Sequence, residues 1–552
     1  MTAPASAEVG SVRRTGSHAP AATLLWGQLV HTVRELWRSR VAFVFTFLFP
    51  LTWLVIIGIV AGNDVVDERS GVRVMQFVTP TAAAMGVLYA TLPTVATIVG
   101  LAREHGVLKR VRGTPLPAWV YLAGRIGGAV VLAFGSLLLM LAVGVLAYDV
   151  QIVWRAALAA AVTIVVAIAC FAAIGLAVAA LARSSTVAQS ASIAAAVVLG
   201  FISELFFVGQ AQPAWMTRLA SVFPLAHFVR ALKEQFNPFA SGGGWDGTAL
   251  LVMAAWAVGA GLVATRAFRW DPVTRGTTRR SRAQPRPAHA GRLIPVGAQR
   301  GHPSLGRLLW DQIVWSSKST WRDLGSVFFA TAMPILVYAI SVSFFGSQFD
   351  FQGKPFGVVM ASGMIAWGGA VTGFINLPEK VLLSRERGEL KRLRATPLPP
   401  ALYLTGRTLS VVLWSLASAA LLVGIGVAFL HLEVSWSGLL PAAAILILGV
   451  LTMAAAGLAL GSFLPDSKAT TAVGLGILLP LAFFSDVFPV YGAPAWMGTI
   501  GSFLPLKPVA NGISSALFLA GTPVNWLALG VTLLWLLAAG LVAVRRFRWS
   551  GQ

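Results

Sequence analysis

Charged residues and cysteine are scarce in this chain of 552 residues. Asp, Glu, Lys and Arg together make up 11% of the sequence, whereas a soluble globular domain has about a quarter. The single cysteine, Cys170, excludes a disulfide bond or a cysteine-based metal site within one chain. The phosphate-loop pattern GxxxxGK[ST] is missing, and so are the hydrolase patterns HExxH and GxSxG. We therefore expect neither a nucleotide-binding domain nor an enzyme active site in this chain.

Hydrophobic residues are abundant instead. They make up 57% of the chain, and the mean hydropathy is +0.77. Several runs exceed the roughly 20 apolar residues that a helix needs to cross a bilayer. The sequence predicts an all-α polytopic membrane protein with twelve transmembrane helices in two sets of six. The predicted spans are about 41–62, 78–100, 122–148, 154–182, 187–208 and 246–266, then 324–345, 356–378, 404–430, 436–463, 469–488 and 524–544.

The basic residues lie mostly on one side of these predicted spans. If the N-terminus is cytoplasmic, 34 of the 42 Lys and Arg residues are cytoplasmic, while the 20 acids divide evenly. This positive-inside bias predicts a cell-membrane protein with both termini in the cytoplasm. Residues 1–22 are polar, so we expect a disordered tail and no cleavable signal peptide. Orientation and contact with anionic membrane lipid explain the net charge of +22, and no nucleic-acid partner is expected.

The same motifs recur in the same order in the two sets of spans. The sequence PAWM occurs at 213–216 and again at 494–497, and the first span of each set contains a proline, Pro50 or Pro334. Both sets cross an even number of times, so the halves are expected to be tandem parallel repeats. The predicted organisation is an N-terminal tail (1–22), a first half (23–270), a flexible Arg/Pro-rich cytoplasmic linker (271–304) and a second half (305–549).

A basic segment that ends in Thr-Pro follows the second span of each half. It reads REHGVLKRVRGTPLP over 103–117 and RERGELKRLRATPLP over 385–399, and ten of the first fourteen residues are identical. Glu104, Leu108 and Val111 have the spacing of one helical face, so each copy predicts a short amphipathic helix that ends before its proline. A positive-inside anchor at the lipid surface is the simplest interpretation. Because the flanking spans have diverged much further, we favour a specific docking surface.

These features resemble the permeases of ATP-binding-cassette (ABC) exporters of the type-2 class. The fused arrangement is similar to actinobacterial antibiotic-efflux permeases of the tetronasin-export and daunorubicin-resistance kind. The resemblance implies that each basic segment is a coupling helix inserted into a separate ATPase subunit, a homodimer that binds ATP and Mg²⁺, so this chain itself needs no cofactor. It assigns docking to Glu104, Gly106, Leu108, Arg110, Thr114, Pro115, Glu386, Gly388, Leu390, Arg392, Thr396 and Pro397. It also implies amphipathic connecting helices near 24–38 and 308–322, and outer re-entrant helices near 213–236 and 494–516.

The two halves differ at a few of these positions. His105 stands where the second copy has Arg387, and Thr97 stands where it has Glu379. Two identical ATPase subunits would therefore bind two non-identical segments, and the conformational changes that they drive in the two halves need not be equivalent. His105 could titrate near neutral pH, although a solvated surface histidine is the simpler interpretation.

Two acids near the outer ends of the fifth spans, Glu204 and Asp486, are the candidate charges within the membrane. An intramembrane charge costs roughly 2.5–3.5 kcal/mol on insertion scales, which makes it a functional candidate. The pair could attract a cationic substrate or gate its exit. Alternatively, the two acids reach the outer interface or cap the re-entrant helices. Four neighbouring aromatic residues could form a gate or could simply pack against lipid: Phe206, Phe207, Phe483 and Phe484.

The residues favour export of small amphiphilic or hydrophobic compounds, such as antibiotics and other drugs, by a permease that is not itself an enzyme. Three alternatives stay open at this point. An ABC exporter of a lipid or glycan would have the same segments, although no large extracellular domain is predicted. An ion-coupled secondary transporter would be expected to carry several acids at mid-span. A membrane scaffold would transport nothing.

Overall fold

The computed structural model describes residues 20–38, 43–60, 62–67, 71–114, 116, 118–205, 213–268, 304–393, 398–489, 492–519 and 524–546. The predicted linker at 271–304 lies outside these ranges except for its last residue. In the first half the structure contains α1 (Ala21–Arg38), a π-helical turn (Val44–Leu48), α2 (Phe49–Val60), the hairpin β1–β2 (Val65–Asp67 and Val72–Arg73), α3 (Met75–Glu104), α4 (Val107–Arg112), α5 (Ala118–Tyr148), a 3-10 turn (Trp154–Ala156), α6 (Ala157–Leu181), α7 (Ser185–Ile202), α8 (Ala214–Ala220), α9 (Pro224–Gln235) and α10 (Gly247–Ala267).

The second half repeats this order of elements. It contains α11 (Leu305–Trp321), α12 (Leu324–Val327), a π turn (Phe328–Ala332), α13 (Met333–Phe345), the hairpin β3–β4 (Asp350–Phe351 and Lys354–Pro355), α14 (Phe356–Ala370), a π segment (Val371–Asn376), α15 (Leu377–Glu386), α16 (Glu389–Leu393), α17 (Pro400–Phe429), a 3-10 turn (Trp436–Gly438), α18 (Leu439–Phe463), α19 (Ser467–Phe484), α20 (Ala495–Ser502), α21 (Leu506–Ile513), a π turn (Ser514–Phe518) and α22 (Trp526–Arg546).

The apolar runs of the sequence form helices. Within the described residues, ten helical stretches are long and apolar enough to cross a membrane: Met75–Glu104, Trp119–Tyr148, Trp154–Leu181, Ser185–Ile202, Gly247–Ala267, Leu324–Phe345, Phe356–Glu386, Ala401–Phe429, Trp436–Phe463 and Trp526–Arg546. Two shorter apolar helices, Val44–Val60 and Ala469–Phe484, coincide with the two remaining predicted spans. The all-α membrane architecture is thereby confirmed, while the arrangement of twelve crossings stays a prediction.

Two helices extend beyond the predicted spans that they contain. The second spans were placed at 78–100 and 356–378, but the helices continue to Glu104 and Glu386. Apolar content marks only the part of a helix that lies among hydrophobic neighbours. The charged last turns remain helical because their backbone hydrogen bonds do not depend on side-chain polarity.

A π-helical turn precedes the repeated proline of each first span. Val44–Leu48 comes directly before the turn that contains Pro50, and Phe328–Ala332 comes directly before Pro334. Proline has no N–H for the i→i−4 bond, and its ring clashes with the carbonyl of residue i−4. A wider turn ahead of it accommodates the ring without breaking the helix. The recurrence of proline at this point therefore specifies the same local bend in both halves.

The second spans form the centre of the molecule. In the most apolar stretch of α3, 94% of the residues are buried, and in that of the continuous helix 356–386 all are buried, against 17% for α22. The amphipathic helices α1 and α11 pack along α5 and α17 and expose tryptophans, of which Trp26 is 66% and Trp310 63% exposed. Exposed tryptophans of this kind are typical of a membrane–water interface.

The halves contact each other through first and fifth spans in a reciprocal pattern. Helix α7 packs on α12 and α13, while α19 packs on α2 and its preceding π turn. The methionine of each PAWM motif takes part in this contact. Met216 is buried in a cluster that receives Phe344, and Met497 is buried with Ile56 of the opposite half. The repeated motif thus supplies the same contact twice.

Candidate functional site at the coupling segments and the outer acids

Each predicted coupling segment, 103–117 or 385–399, consists in its described part of the end of one helix, a turn and a second short helix. Helix α3 ends at Glu104, the next two residues form a turn, and α4 begins at Val107. Gly106 has φ +66° and Gly388 has φ +69°, in the left-handed region, where L side chains are strained. The predicted single helical face through Glu104, Leu108 and Val111 is therefore wrong, because the glycine that the motif repeats ends one helix and starts another.

A buried leucine holds the short second helix against the rest of the chain. Leu108 is fully buried and packs with Ala102 and Tyr121, and Leu390 is 1% exposed. These two leucines are part of the apolar core at this end of the molecule. The leucine of the motif thus fixes the position of α4 or α16, whatever binds to the other face.

The outward face of each segment is basic. The side chains of His105, Lys109, Arg110 and Thr114 are exposed in the first copy, and those of Arg387, Lys391 and Arg392 in the second. Thr114 Oγ1 donates to the carbonyl of Val111 at 2.7 Å, which closes the last turn. Pro115, Thr396 and Pro397, which were also predicted to dock, lie outside the described residues. We call the seven exposed residues His105, Lys109, Arg110, Thr114, Arg387, Lys391 and Arg392 the basic surface.

The two glutamates of the motif contact the start of the fifth span. Glu104 Oε2 accepts a hydrogen bond from the backbone N–H of Ser185 at 2.8 Å and another from its hydroxyl at 2.5 Å. In the second half, Glu386 accepts the N–H of Ser467 at 2.5 Å and its hydroxyl at 3.2 Å. Ser185 and Ser467 are the first residues of α7 and α19. Sequence reasoning assigned these carboxylates to the ATPase and missed their contact within the chain.

Arg103, next to Glu104, contacts the end of the fourth span. Its guanidinium is 3% exposed and donates to the carbonyls of Ala179 at 2.8 Å and Ala182 at 2.5 Å. The last carbonyls of a helix have no partner in the helix and carry partial negative charge. Sequence analysis did not single out Arg103, although its presence in both copies was a signal.

At the outer end, each predicted acid pairs with a lysine of its own half. Glu204 Oε2 lies 3.4 Å from Lys233 Nζ, and Asp486 Oδ2 lies 2.8 Å from Lys507 Nζ. Both acids have positive φ and directly follow the last turn of the fifth span. Of the four predicted aromatic residues, Phe206 and Phe207 lie outside the described residues. The other two, Phe483 and Phe484, pack against the cluster that contains Ile56, between the halves.

The two lysines occupy non-equivalent positions. Lys507 lies in the first turn of α21, whereas Lys233 lies in the last turn of α9. Alignment on the repeated PL dipeptide places Ala226 opposite Lys507. Each half therefore neutralises its acid from a different turn of the outer helix. The acid–lysine pair is thus present in both halves, although its lysine comes from a different turn of the outer helix.

The comparison with protein families agrees with this duplicated architecture. The family model of the ABC-2 type transporter membrane domain matches residues 23–236 and again residues 308–518. The chain belongs to the ABC-2 type transporter family. No curated protein matches it. The match covers two copies of the membrane domain, so the chain is the permease of an ABC-2 type transporter. Permeases of this family pair with an ABC ATPase subunit.

The helix of the second span in the permease carries two further charges beyond the predicted boundary of that span. Lys380 Nζ donates to Thr320 Oγ1 at 3.0 Å and lies 3.9 Å from Asp323 Oδ2, while Glu379 lies close to the hydroxyl of Thr471 in the fifth span. The prediction that only the outer acids are charges within the membrane stays a prediction. The first half has Thr97 in place of Glu379, and its hydroxyl donates to its own helix. Among the described residues, no group of three or more His, Cys, Asp or Glu could hold a metal ion.

The outer cluster of the second half gives a testable difference between two lysines of the permease. Burial lowers the pKa of Lys354; the charge of Asp486 opposes this shift, and the charge of Lys507 adds to it. Lys507→Met removes the 2.8 Å partner of Asp486, so we expect a loss of roughly 1.5–3 kcal/mol, the range for hydrogen bonds to charged groups. Lys354→Met removes a charge that burial disfavours together with a 3.3 Å hydrogen bond to Asn511 Oδ1, so it should cost less stability than Lys507→Met. Thermal unfolding in detergent micelles measures both, and equal losses would contradict the assignment.

Proposed function

We propose that this permease exports amphiphilic or hydrophobic compounds, including antibiotics and other drugs, driven by a separate ATPase homodimer that binds its two coupling segments. Both termini and the coupling segments lie in the cytoplasm in this proposal. One observation carries the assignment of the docking site. In both halves, the leucine of the segment is buried in the permease, while the residues of the basic surface are exposed.

The difference in exposure between the leucines and the basic residues of the motif supports electrostatic docking of the ATPase. Leu108 and Leu390 are buried, while Glu104 and Glu386 are exposed but hydrogen-bonded to Ser185 and Ser467. The basic surface leaves the exposed part of each segment with a net positive charge, which fits a partner with a negatively charged cleft. Charge complementarity of this kind sets orientation and association rate. We assign docking to the basic surface and not to the two glutamates.

The outer acids favour an uncharged or weakly charged substrate. Because Glu204 and Asp486 each have a lysine partner, the charges of these two acids are balanced and do not favour a cation. The surfaces beside them are aromatic: Phe483 lies 5.4 Å from Phe488, and Phe488 lies 5.3 Å from Trp367, measured between ring centroids. Such a surface suits the apolar part of an amphiphile.

The proposal is tested by purifying the tagged permease from native membranes and measuring vanadate-sensitive ATPase activity in the eluate. Inside-out vesicles are then loaded with a lipophilic fluorescent dye, and its ATP-dependent uptake is recorded. We expect a co-purifying ATPase and dye uptake that requires ATP. A permease that purifies alone and moves dye only along an ion gradient would overturn the proposal. ATP-dependent movement of labelled lipid without dye uptake would show that the exported substrate is a lipid and not a drug-like compound.

A further inference from the structure

The motif residues Arg103 and Glu104 together hold the short turn between the fourth and fifth spans. Arg103 donates to carbonyls at the end of α6, and Glu104 accepts the first N–H of α7. A helix end carries partial negative charge and a helix start carries partial positive charge. The positively charged Arg103 therefore contacts a helix terminus with partial negative charge, and the negatively charged Glu104 contacts one with partial positive charge. The last turn of the second span is bound to two other helices through these two neighbouring residues.

The glutamate contact recurs in the second half with a different cap. The residue before α7 is Ser184, whose hydroxyl accepts the N–H of Val187, and the residue before α19 is Asp466, whose carboxylate accepts the N–H of Ala469. These caps satisfy the third N–H of their helices. The N–H of the first residue, Ser185 or Ser467, is left for the glutamate of the coupling segment. The same contact is thus made although the cap itself has changed.

We propose that Glu104 and Glu386 are positioning residues that make the coupling segment and the start of the fifth span move as one unit. This inference rests on the proposed function, since it describes how a displacement of the docked segment reaches the fifth span. The fifth spans form the contact between the halves. A segment displaced by the ATPase would therefore shift the interface of the two halves directly through one hydrogen-bonded pair in each half.

The second half has an additional polar residue between the same two helices. Glu379, two turns from Glu386, lies close to the hydroxyl of Thr471, whereas the first half has Thr97, whose hydroxyl donates to its own helix. Among the described residues of the first half, Glu104 supplies the polar contact between these helices at this level. Loss of Glu104 should consequently have a larger effect than loss of Glu386.

Hydrogen exchange on the isolated permease in nanodiscs tests the contact without any ATPase. The N–H of Ser185 has no partner within its own helix, so Glu104 is the group that protects it. We expect Glu104→Ala to speed exchange in peptides that cover 183–190 by at least about tenfold, which corresponds to about 1.4 kcal/mol. The neighbouring exposed residue provides the control variant, His105→Ala, which should leave exchange unchanged. Equal exchange in wild type and Glu104→Ala would overturn the proposal.

A double-mutant cycle tests the role in coupling. Ser185→Pro removes both donors to Glu104, and proline is favoured at the first position of a helix. We expect Glu104→Ala and Ser185→Pro each to lower the amount of dye moved per ATP about tenfold, with the ATPase binding as tightly as before. The double variant should be no worse than either single one. If Glu104→Ala weakens ATPase binding while Ser185→Pro does not, Glu104 is a docking residue and the proposal fails. If the wild-type permease binds no ATPase, the proposed function fails, while the exchange experiment still decides the contact.

Discussion

Reversing one exposed arginine in each coupling segment, Arg110→Glu together with Arg392→Glu, should abolish recovery of the ATPase with the permease. Both side chains are exposed on the basic surface, next to the buried leucines that hold the segments in place. Like charges placed opposite each other in an interface cost several kcal/mol. We expect the affinity to fall at least about a hundredfold, which corresponds to about 2.7 kcal/mol. Pull-down followed by titration of the purified ATPase measures the change.

The matched control reverses the same number of charges elsewhere on the predicted cytoplasmic side. Arg266 and Arg545 lie at the ends of α10 and α22, and both are exposed. Arg266→Glu with Arg545→Glu changes the positive-inside bias by the same amount, so it reports any effect on membrane orientation. This control should recover the ATPase normally. Equal recovery with both double variants would place docking outside the basic surface.

The single variants separate the contributions of the two segments. Arg110→Glu leaves the second segment intact, and Arg392→Glu leaves the first intact. When a homodimeric ATPase binds both, losing one contact leaves the other to hold the complex by its high effective concentration. Each single variant should therefore weaken recovery without abolishing it. A single variant as severe as the double one would indicate that only one segment binds.

The location of the coupling segments was predictable from the sequence because it depends on repetition. Two copies with ten identical residues of fourteen stand out against spans that have diverged. The prolines at the first spans and the methionines of PAWM were predictable in the same way, as recurring positions. Their physical roles, a π turn and a buried contact between halves, came only with the structure.

The partner of Glu104 could not be predicted, because it lies 81 residues away in the chain. A glutamate in a basic segment reads as a surface residue, and nothing local indicates that a helix start lies above it. The lysines that neutralise Glu204 and Asp486 were hidden for a related reason. They sit on different turns of the outer helices, so comparison of the two halves does not align them.

Gly438→Ala should destabilise the permease strongly through backbone overlap at the outer end of the second half. A Cβ at this position would lie 1.6 Å from the carbonyl oxygen of Ala516, in the π turn that follows α21. The same two segments are joined by a hydrogen bond from the N–H of Ser435 to the carbonyl of Leu517 at 2.7 Å. Since neither backbone can move alone, we expect a loss of about 3 kcal/mol or more, above the usual range for overpacking. Thermal unfolding of the purified permease measures it.

The equivalent position in the first half carries an alanine and shows why the overlap is specific to Gly438. The equivalent residue there is Ala156, which is buried and fits because it faces Gly244, a glycine with φ +70°. Each half therefore has one glycine at this contact, on opposite sides of it. Gly424→Ala, in the middle of α17 with open space around its Cβ, should be neutral or stabilise the helix by up to about 1 kcal/mol. If Gly438→Ala unfolds at the same temperature as Gly424→Ala, the turn that contains Gly438 is not packed against the π turn after α21 as described.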